Sequence, residues 1–248
     1  MQTMPPACIL AGGLGTRLRT LYPDRPKALV PLGGRPFIEW QVSWLARYGI
    51  TRIHIAAGYL GEQLRQWAQN AAPARDLHLT VSVEPEPLGT AGGLAYAVSE
   101  ALGRPRRIMV LNGDTLLPAA DLRRLAEVAC PEGGAVMAVV EVPDAARFGT
   151  VEMDAAGRIS GFREKGAAGP GPVNGGVYLL DGGVLSRIPR SGPSSLEHDI
   201  FPRLAEAGLL LAWTAPPPLL DIGTPEGLRN TGEYLRQEGG RLHLDSFH

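Results

Sequence analysis

The sequence predicts an α/β protein with a mainly parallel central sheet, and three observations support this fold class. Through the first half of the chain, short apolar segments alternate with helix-like segments of roughly 10–15 residues. Strands that are joined by helices pair in parallel and are covered on both faces. The composition, 44% hydrophobic and 20% charged, is that of a globular protein. The length of 248 residues fits one domain over residues 1–248 that buries its own core.

Five strands and four helices are predicted in the first half. The strands are the apolar runs Ala7–Leu10, Arg52–Ala56, Leu77–Val83, Arg107–Leu111 and Ala135–Val140. Apolar residues recur at a roughly helical period in the first helix, Phe37–Tyr48. The other helices are Leu60–Gln69, Ala91–Leu102, which Gly89-Thr90 opens, and Ala120–Ala129.

The second half predicts a β-rich insertion in the same domain. Asp154-Ala-Ala-Gly157 signals a hairpin turn between the strands Thr150–Met153 and Arg158–Phe162. Further strands are predicted at Val177–Leu180 and Leu209–Trp213. The helix Ser194–Ala207 begins with Ser194-x-x-Glu197, which fits a capping box, and proline in Thr224-Pro225-Glu226 opens the last helix.

Charge and composition exclude several classes of protein. The net charge of −1 argues against a nucleic-acid partner held by bulk positive charge. Cys8 and Cys130 form neither a zinc spacing nor a disulfide framework. No apolar run reaches the ~18 residues of a membrane span, and Met1–Pro6 lacks the features of a signal peptide. We therefore expect a cytoplasmic protein without a membrane partner.

Lysine is scarce in this chain. Of 24 basic residues, only Lys27 and Lys165 are lysine, and the other 22 are arginine. Compositional bias explains most of this pattern. A compact ammonium, however, contacts a phosphate as a point charge, which a planar guanidinium does not reproduce in a tight site. Both lysines are therefore candidate phosphate ligands.

A glycine-rich loop follows the first strand. Its residues Leu10, Ala11, Gly12 and Gly13 precede Leu-Gly-Thr-Arg17, and Pro26-Lys27 follows. Such a turn directs several backbone N–H groups toward one anion, and Arg17 and Lys27 add positive charge. The loop is neither a Walker A motif nor a dinucleotide fingerprint, which argues against a dinucleotide-dependent redox enzyme. An ordinary strand–helix turn is the alternative.

Two aspartates are candidate metal ligands. Asp114 ends Asn112-Gly113-Asp114 at the carboxyl end of a predicted parallel strand, where ligands gather in open α/β sheets. Asp221 begins Asp221-Ile-Gly-Thr-Pro. Together, two carboxylates can hold Mg²⁺ while the ion keeps water and phosphate ligands. Each aspartate can alternatively serve a turn or a helix cap.

Three further motifs carry polar side chains that are suited to a sugar or a base. Glu164 can accept hydrogen bonds from sugar hydroxyls while Lys165 binds a sugar phosphate; alternatively, the two form a solvated pair on a hairpin edge. Glu84 or Glu86, in the loop before Gly89-Thr90, can read a base edge or belong to a rigid acidic loop. Asn174 can bind a sugar or form a turn before Gly-Gly.

In this order, the motifs resemble those of the sugar-1-phosphate nucleotidyltransferases from Ala7 to about Leu235. The resemblance implies a Rossmann-like three-layer α/β/α sandwich with a mixed, mainly parallel sheet. It also implies transfer of a nucleotidyl group from an NTP to a sugar 1-phosphate with Mg²⁺, for glycan, lipopolysaccharide or capsule precursors.

The resemblance assigns a role to each matching residue. The nucleotide would contact Leu10, Ala11, Gly12, Gly13, Glu84, Gly89 and Thr90. The catalytic residues would be Arg17, Lys27, Asp114 and Lys165, with Asp114 and Asp221 as the metal ligands. The sugar phosphate would contact Gly113, Glu164, Lys165 and Asn174.

Glu84-Pro-Glu-Pro-Leu-Gly-Thr-Ala-Gly is similar to the segment found in guanylyltransferases for mannose 1-phosphate and D-glycero-α-D-manno-heptose 1-phosphate. This similarity implies GTP, and the short chain and Ser195-Leu-Glu-His-Asp-Ile-Phe-Pro202 favour the heptose enzyme within the family. A carboxylate also accepts from guanine N1–H and N2–H₂ together. Mannose 1-phosphate, a uridylyl- or thymidylyltransferase, and a non-catalytic sugar-nucleotide-binding subunit remain alternatives, and a homodimer is left open.

Overall fold

The protein contains a central seven-stranded sheet and three small two-stranded sheets within residues 3–13, 15–18, 20–71, 77–163, 169–189 and 192–238, which the computed structural model describes. The strands are β1 (Ala7–Ala11), β2 (Pro31–Leu32), β3 (Arg35–Pro36), β4 (Arg52–Ala57), β5 (His78–Val83), β6 (Arg107–Asn112), β7 (Thr115–Leu116), β8 (Ala135–Val142), β9 (Thr150–Met153), β10 (Ile159–Arg163), β11 (Gly171–Asp181), β12 (Leu210–Ala215) and β13 (Leu220–Asp221). The α-helices are α1 (Phe37–Arg47), α2 (Gly61–Ala71), α3 (Gly89–Ala97), α4 (Leu122–Glu127), α5 (Phe201–Glu206) and α6 (Pro225–Glu238).

The central sheet is mixed and mainly parallel, as the sequence predicts. Its strand order is β12-β8-β11-β6-β1-β4-β5. Strand β11 runs antiparallel to both of its neighbours, and the other pairs are parallel. The predicted hairpin forms as β9 and β10. As a result, the carboxyl ends of β1, β4, β5 and β6 lie along one edge, where the loops with the candidate site residues begin.

Apolar side chains pack against both faces of the sheet and form its two core layers. On one face, Trp44 of α1 and Leu64 of α2 are fully buried in one hydrophobic cluster. On the other face, Leu94 of α3 and Phe201 of α5 belong to a second cluster. These two helix layers and the sheet between them give the three-layer arrangement. No helix in the described ranges is long and apolar enough to cross a membrane.

The structure differs from the sequence prediction at β11 and at the helix near residue 196. Strand β11 spans Gly171–Asp181, whereas only Val177–Leu180 was expected; pairing with β8 holds its Gly- and Pro-containing first half extended. The predicted helix Ser194–Ala207 is a π-helical turn, Leu196–Ile200, followed by α5.

The helix cap forms at Ser195, and the predicted capping box Ser194-x-x-Glu197 does not form. The hydroxyl of Ser195, not that of Ser194, accepts from the backbone N–H groups of Glu197 and His198. The carboxylate of Asp199 accepts in return from the Ser195 N–H at 2.7 Å. The carbonyl of Ser194 is already occupied by the Ala91 N–H at 2.9 Å, which anchors α3 and delays the start of the turn.

Candidate active site

The glycine-rich loop and Lys27 meet beside the end of β1. The loop leaves the sheet at Ala11, and Gly15 takes a left-handed conformation with φ of 58°. A hypothetical Cβ at Gly15 would lie 3.5 Å from the Cβ of Lys27. A small pocket beside the loop is lined in part by Gly13, Gly15, Tyr22, Lys27 and Tyr59. Arg17, in the same loop, is exposed, and Lys27 is partly exposed. Both predicted phosphate-binding cations are therefore accessible from solvent.

Lys27 forms an ion pair with Asp114. Its Nζ lies 2.6 Å from Oδ2 of Asp114, and the two side chains are 18% and 36% exposed. A 3₁₀ turn, Lys27–Leu29, fixes the backbone of the lysine, and the turn between β6 and β7 carries the aspartate. The structure thus brings together two predicted residues that are distant in sequence.

Asp221 joins this pair because β13 is antiparallel to β7. The register places Asp221 opposite Thr115, and the backbone N–H of Ile222 donates to the carbonyl of Asp114 at 2.9 Å. Burial raises the pKa of Asp221, and the charge of Asp114 raises it further. The Gly223 N–H, which donates to Oδ1 at 2.6 Å, and the charge of Lys27 act in the opposite direction.

The two aspartates have the chemistry that Mg²⁺ requires. Both offer hard carboxylate oxygens, and the effect of Asp114 on the pKa of Asp221 indicates that the two charges are close. Across the described ranges, no group of three or more His, Cys, Asp and Glu side chains could hold a metal. One or two carboxylates suffice for Mg²⁺, because water and substrate phosphates complete its coordination. The residues therefore fit this ion, and the metal role of the pair stays a prediction.

Arg147 is a further charged residue at this site that the sequence analysis missed. Its guanidinium lies 3.5 Å from Oδ2 of Asp221 and 3.7 Å from Glu226, and it donates to the Thr224 hydroxyl at 2.7 Å. Asp221 is therefore close to positive charge from Arg147 as well as from Lys27. In a chain with 22 arginines, the residue type alone gives no signal that this one is functional.

Glu84 lies at the same edge of the sheet in a cradle of glycines. A Cβ added at Gly12 or Gly58 would come within 2.8 or 2.5 Å of its Oε1, and one at Gly93 would lie 3.4 Å from Oε2. The Leu88 N–H donates to Oε2 at 3.3 Å. Burial raises the pKa of Glu84, and this hydrogen bond opposes the shift. Three glycines thus leave room for a carboxylate beside the loop that follows β1.

Gly89 and Thr90 join the start of α3 to the turn Leu196–Ile200. The Thr90 hydroxyl donates to Oε2 of Glu197 at 2.6 Å and accepts from the Leu196 N–H at 2.8 Å. Gly89 has φ of 73°, and a Cβ there would lie 2.5 Å from the carbonyl oxygen of Ser194. The side chain of Thr90 is thus engaged within the protein, and the nucleotide contacts of both residues stay predictions.

Asn174 forms a polar cluster with two residues that the sequence analysis did not select. Its amide donates to the hydroxyl of Tyr178 at 2.9 Å, and the amide of Asn112 donates to the same hydroxyl at 3.4 Å. The Oδ1 of Asn174 accepts from the Gly176 N–H at 2.9 Å. Tyr178 is fully buried, so its hydroxyl provides a fixed acceptor for both amides.

Gly113 and the pair Glu164-Lys165 complete the predicted sugar-phosphate set. The N–H of Gly113 donates to the Leu10 carbonyl at 2.9 Å, and a Cβ there would lie 2.6 Å from that oxygen. The glycine is therefore needed for close packing of the two loops. Glu164 and Lys165 lie outside the described residues, and their roles stay predictions.

The model of the nucleotidyl transferase family matches residues 6–238. The chain belongs to this family. It is 36% identical to mannose-1-phosphate guanylyltransferase 1 of Arabidopsis thaliana over 244 residues, which cover 97% of this chain and 65% of that protein. It is 35% identical to mannose-1-phosphate guanyltransferase beta-B of Xenopus laevis over 224 residues, which cover 89% and 61%. The chain thus spans less than two thirds of the length of these curated relatives.

Solved structures share the fold. HddC from Yersinia pseudotuberculosis has a TM-score of 0.82 and 29% identity, covers 94% of this chain and 100% of its own, and was also solved with GMP-PN. A Bacillus anthracis protein, solved with sucrose under the name of a glucose-1-phosphate thymidylyltransferase, has the same TM-score of 0.82 with 26% identity over 94% and 96% of the two chains. Because the two neighbours differ in the nucleotide involved, similarity of fold does not identify the base.

Proposed function

We propose that the chain transfers a guanylyl group from GTP to a sugar 1-phosphate of manno configuration and releases pyrophosphate. The observation that carries this proposal is the cluster of Lys27, Asp114 and Asp221, which three separate segments supply at one edge of the sheet. The membership of the chain in the nucleotidyl transferase family supports the same reaction class. The product would be a GDP-sugar.

The proposed reaction is an in-line displacement at the α-phosphorus of the NTP. An oxygen of the sugar phosphate forms the new P–O bond, and the bond to the bridging oxygen of the β-phosphate breaks as pyrophosphate leaves. The attacking oxygen is already ionised at neutral pH, so no side chain must remove a proton. The work of the protein is therefore to align the two phosphates and to balance their charge.

Positive charge for this step would come from Lys27, Arg17 and Lys165. Lys27 pairs with Asp114 at 2.6 Å, which supports a role for its ammonium beside the proposed metal and phosphates. Asp114 and Asp221 would hold Mg²⁺, which supplies Lewis-acid charge neutralisation at the phosphates when it is bound. The side chain of Asp114 is 36% exposed, so Mg²⁺ can reach its carboxylate and replace the ammonium of Lys27 as its partner.

Glu84 would select guanine. The carboxylate lies between the glycine-rich loop and α3, and burial raises its pKa, a shift that further hydrogen-bond donors would oppose. Guanine presents two donors on one edge, N1–H and N2–H₂, which match the two oxygens of a carboxylate. Uracil and thymine present the acceptors O2 and O4 instead. The names of the curated relatives, a guanylyltransferase at 36% identity and a guanyltransferase at 35%, support GTP as the nucleotide.

The sugar is proposed at two levels of detail. D-glycero-α-D-manno-heptose 1-phosphate is the specific proposal and follows from the segment Ser195–Pro202. Mannose 1-phosphate is the second candidate, and the names of the curated relatives, at 36% and 35% identity, favour it. The two sugars share the manno ring and differ at C6, so both are compatible with one ring-binding site.

The test measures pyrophosphate release by the purified chain with Mg²⁺. GTP, UTP and dTTP are each combined with mannose 1-phosphate, the heptose 1-phosphate and glucose 1-phosphate. We expect the highest kcat/KM with GTP and one of the two manno sugars, and the ratio between those sugars decides the substrate. If no pair releases pyrophosphate, while GDP-sugars still bind, the chain is a non-catalytic binding subunit and the proposal is wrong.

A further inference from the structure

Helix α1 buries a glutamine in the core beside the candidate active site. Gln41 is 0% exposed, and the adjacent residues of the helix, Trp40 and Val42, are buried as well. An amide that is removed from water is destabilising unless it forms hydrogen bonds. No sequence pattern marks this residue, because it occupies a helix whose other buried positions are mostly apolar.

The amide of Gln41 joins the two ends of the turn that carries Asp114. Its Nε2 donates to the carbonyl oxygen of Asn112 at 2.8 Å and to that of Thr115 at 2.7 Å. These are the residues on either side of Gly113 and Asp114. Because both partners are acceptors, the NH₂ end of the amide must face the turn, and its two hydrogens match the two carbonyls.

The opposite end of the amide is not used by the fold. Gln41 Oε1 is buried and has no hydrogen-bond partner in the part of the chain that the structure describes. If only the shape of the side chain mattered at this position, the two hydrogen bonds from Nε2 to the Asp114 turn would not be needed. The paired donors are therefore the property that distinguishes glutamine from an apolar side chain of similar size at this position.

Other elements hold the remaining backbone groups of the same turn. The Gly113 N–H donates to Leu10 of β1, and the Asp114 carbonyl accepts from Ile222, each at 2.9 Å. Helix α1 supplies the third attachment through Gln41. The turn is thus fixed from three directions, and the carboxylate of Asp114 projects from it toward Lys27.

We propose that Gln41 is a positioning residue, which sets the Asp114 carboxylate for the metal and the phosphates by clamping the carbonyls of Asn112 and Thr115. This inference rests on the proposed function. It predicts that loss of the two donors mainly lowers kcat and weakens cation binding, because the carboxylate is displaced, while KM for GTP changes much less.

The test compares Gln41→Met, which removes both donors, with Gln41→Glu, which keeps the shape and offers at most one donor hydrogen. Ser43→Ala is the matched control, since Ser43 is also buried in α1 but contacts Arg35 rather than the turn. We expect kcat to fall by about 10–100-fold for Met, as for loss of one to two buried hydrogen bonds. The loss for Glu should be at least as large, because an ionised carboxylate would face the two carbonyl oxygens without a donor. Ser43→Ala should change kcat by less than about twofold. Urea unfolding of each variant identifies any that is not folded, and Gln41→Leu, which also removes both donors, then replaces Gln41→Met.

A double-mutant cycle separates positioning from a general loss of structure. If Gln41 acts through Asp114, Gln41→Met should cause little further loss of kcat in the Asp114→Asn background. Hydrogen exchange of the peptide that contains Asp114 should also accelerate in Gln41→Met and not in Ser43→Ala. Additive losses of kcat, or unchanged kcat in folded Gln41→Met, would overturn the proposal.

Binding of Mn²⁺ as a substitute for Mg²⁺ gives a readout that does not require turnover. We expect a Kd for Mn²⁺ that is weakened by about 3–10-fold in Gln41→Met and unchanged in Ser43→Ala. If the wild-type chain releases no pyrophosphate with any substrate pair, the proposed function fails, and the Mn²⁺ measurement alone decides the role of Gln41. Equal Mn²⁺ affinity of wild type and Gln41→Met would then reject it.

Discussion

The two acidic regions of the candidate site differ in how their charge is balanced. Asp114 and Asp221 lie beside Lys27 and Arg147, at 2.6 and 3.5 Å for the two closest ion pairs. Glu84 forms no ion pair with a lysine or arginine among the described residues, and a single backbone N–H from Leu88 donates to it. One region is a network of both charges, and the other is an isolated carboxylate among glycines.

This difference indicates two kinds of ligand. Cations beside carboxylates form a site where phosphates and a divalent ion can replace the internal partners without leaving a buried charge unpaired. An isolated, partly buried carboxylate has oxygens left to accept hydrogen bonds, and N–H donors of a neutral ligand can form charge-assisted bonds with them. The paired region is therefore suited to the triphosphate, and Glu84 is suited to a base edge.

The largest effect is expected in the paired region. Asp114→Asn and Asp221→Asn keep the shape of each side chain and remove its charge. Each should lower kcat by about 10²–10³-fold, since metal-assisted charge stabilisation is lost. Burial raises the pKa of Asp221, which means that its ionised form is destabilised by folding, so Asp221→Asn should unfold in urea no earlier than wild type.

Glu62→Gln is the control for this pair. Glu62 is an exposed carboxylate in α2 that pairs only locally with Arg65 at 2.6 Å. Steady-state kinetics and a Mg²⁺ titration should be unchanged in this variant. Near-normal turnover of either aspartate variant, with the same dependence on Mg²⁺, would contradict the division into a paired phosphate region and an isolated base region.

A slightly smaller effect is expected at Lys165, which extends the comparison to a segment outside the described residues. Lys165→Arg keeps the charge but replaces a point-like ammonium by a planar fork. We expect kcat/KM for the sugar phosphate to fall on the order of 10²-fold, with KM for GTP little changed. If kinetics with varied sugar phosphate show no difference, the scarcity of lysine has no functional meaning at this position.

The isolated region is tested by Glu84→Gln. The amide keeps one acceptor and presents an NH₂ donor to the donors of guanine, so kcat/KM for GTP should fall roughly tenfold to a hundredfold. Use of UTP or dTTP should fall less. Glu86→Gln, at an exposed position of the same loop, is the matched control. Equal selectivity for GTP over UTP in wild type and Glu84→Gln would exclude Glu84 from base recognition.

Local patterns in the sequence predicted most of the fold and part of the site. Apolar runs located the parallel strands, because buried strands need continuous apolar residues. Since ligand-binding loops follow the carboxyl ends of such strands, the strand pattern indicates Asp114. Lys27 is indicated by the scarcity of lysine and the glycine-rich loop, and Asp221 by the order of the motifs. Their approach to one another depends on the pairing of β7 with β13, which no local pattern encodes.

The residues that were missed act through long-range contacts or one-residue shifts. Gln41 contacts a turn more than 70 residues away in sequence, at a separation of 71 for Asn112. Tyr178 reaches Asn174 across an irregular register in β11, which a regular strand pattern does not anticipate. The cap moved from Ser194 to Ser195 because the Ser194 carbonyl binds the start of α3. In each case, contacts between distant elements determine the side-chain partner or the position of the cap, and the local sequence pattern fits more than one of them.

The smallest effect is expected at Arg147, and it tests whether the paired region is balanced for exchange with a cation. The guanidinium is 37% exposed, so its attraction to Asp221 is worth only about 0.2–1 kcal/mol. Arg147→Met should therefore lower the Mg²⁺ concentration for half-maximal activity by about 1.5- to 5-fold, because one competing positive charge is removed. Arg147→Lys should remain close to wild type, and so should Glu226→Gln, which removes only the second partner at 3.7 Å. A higher Mg²⁺ requirement together with a raised KM for GTP would mean that Arg147 contacts the phosphates alongside the ion rather than competing with it.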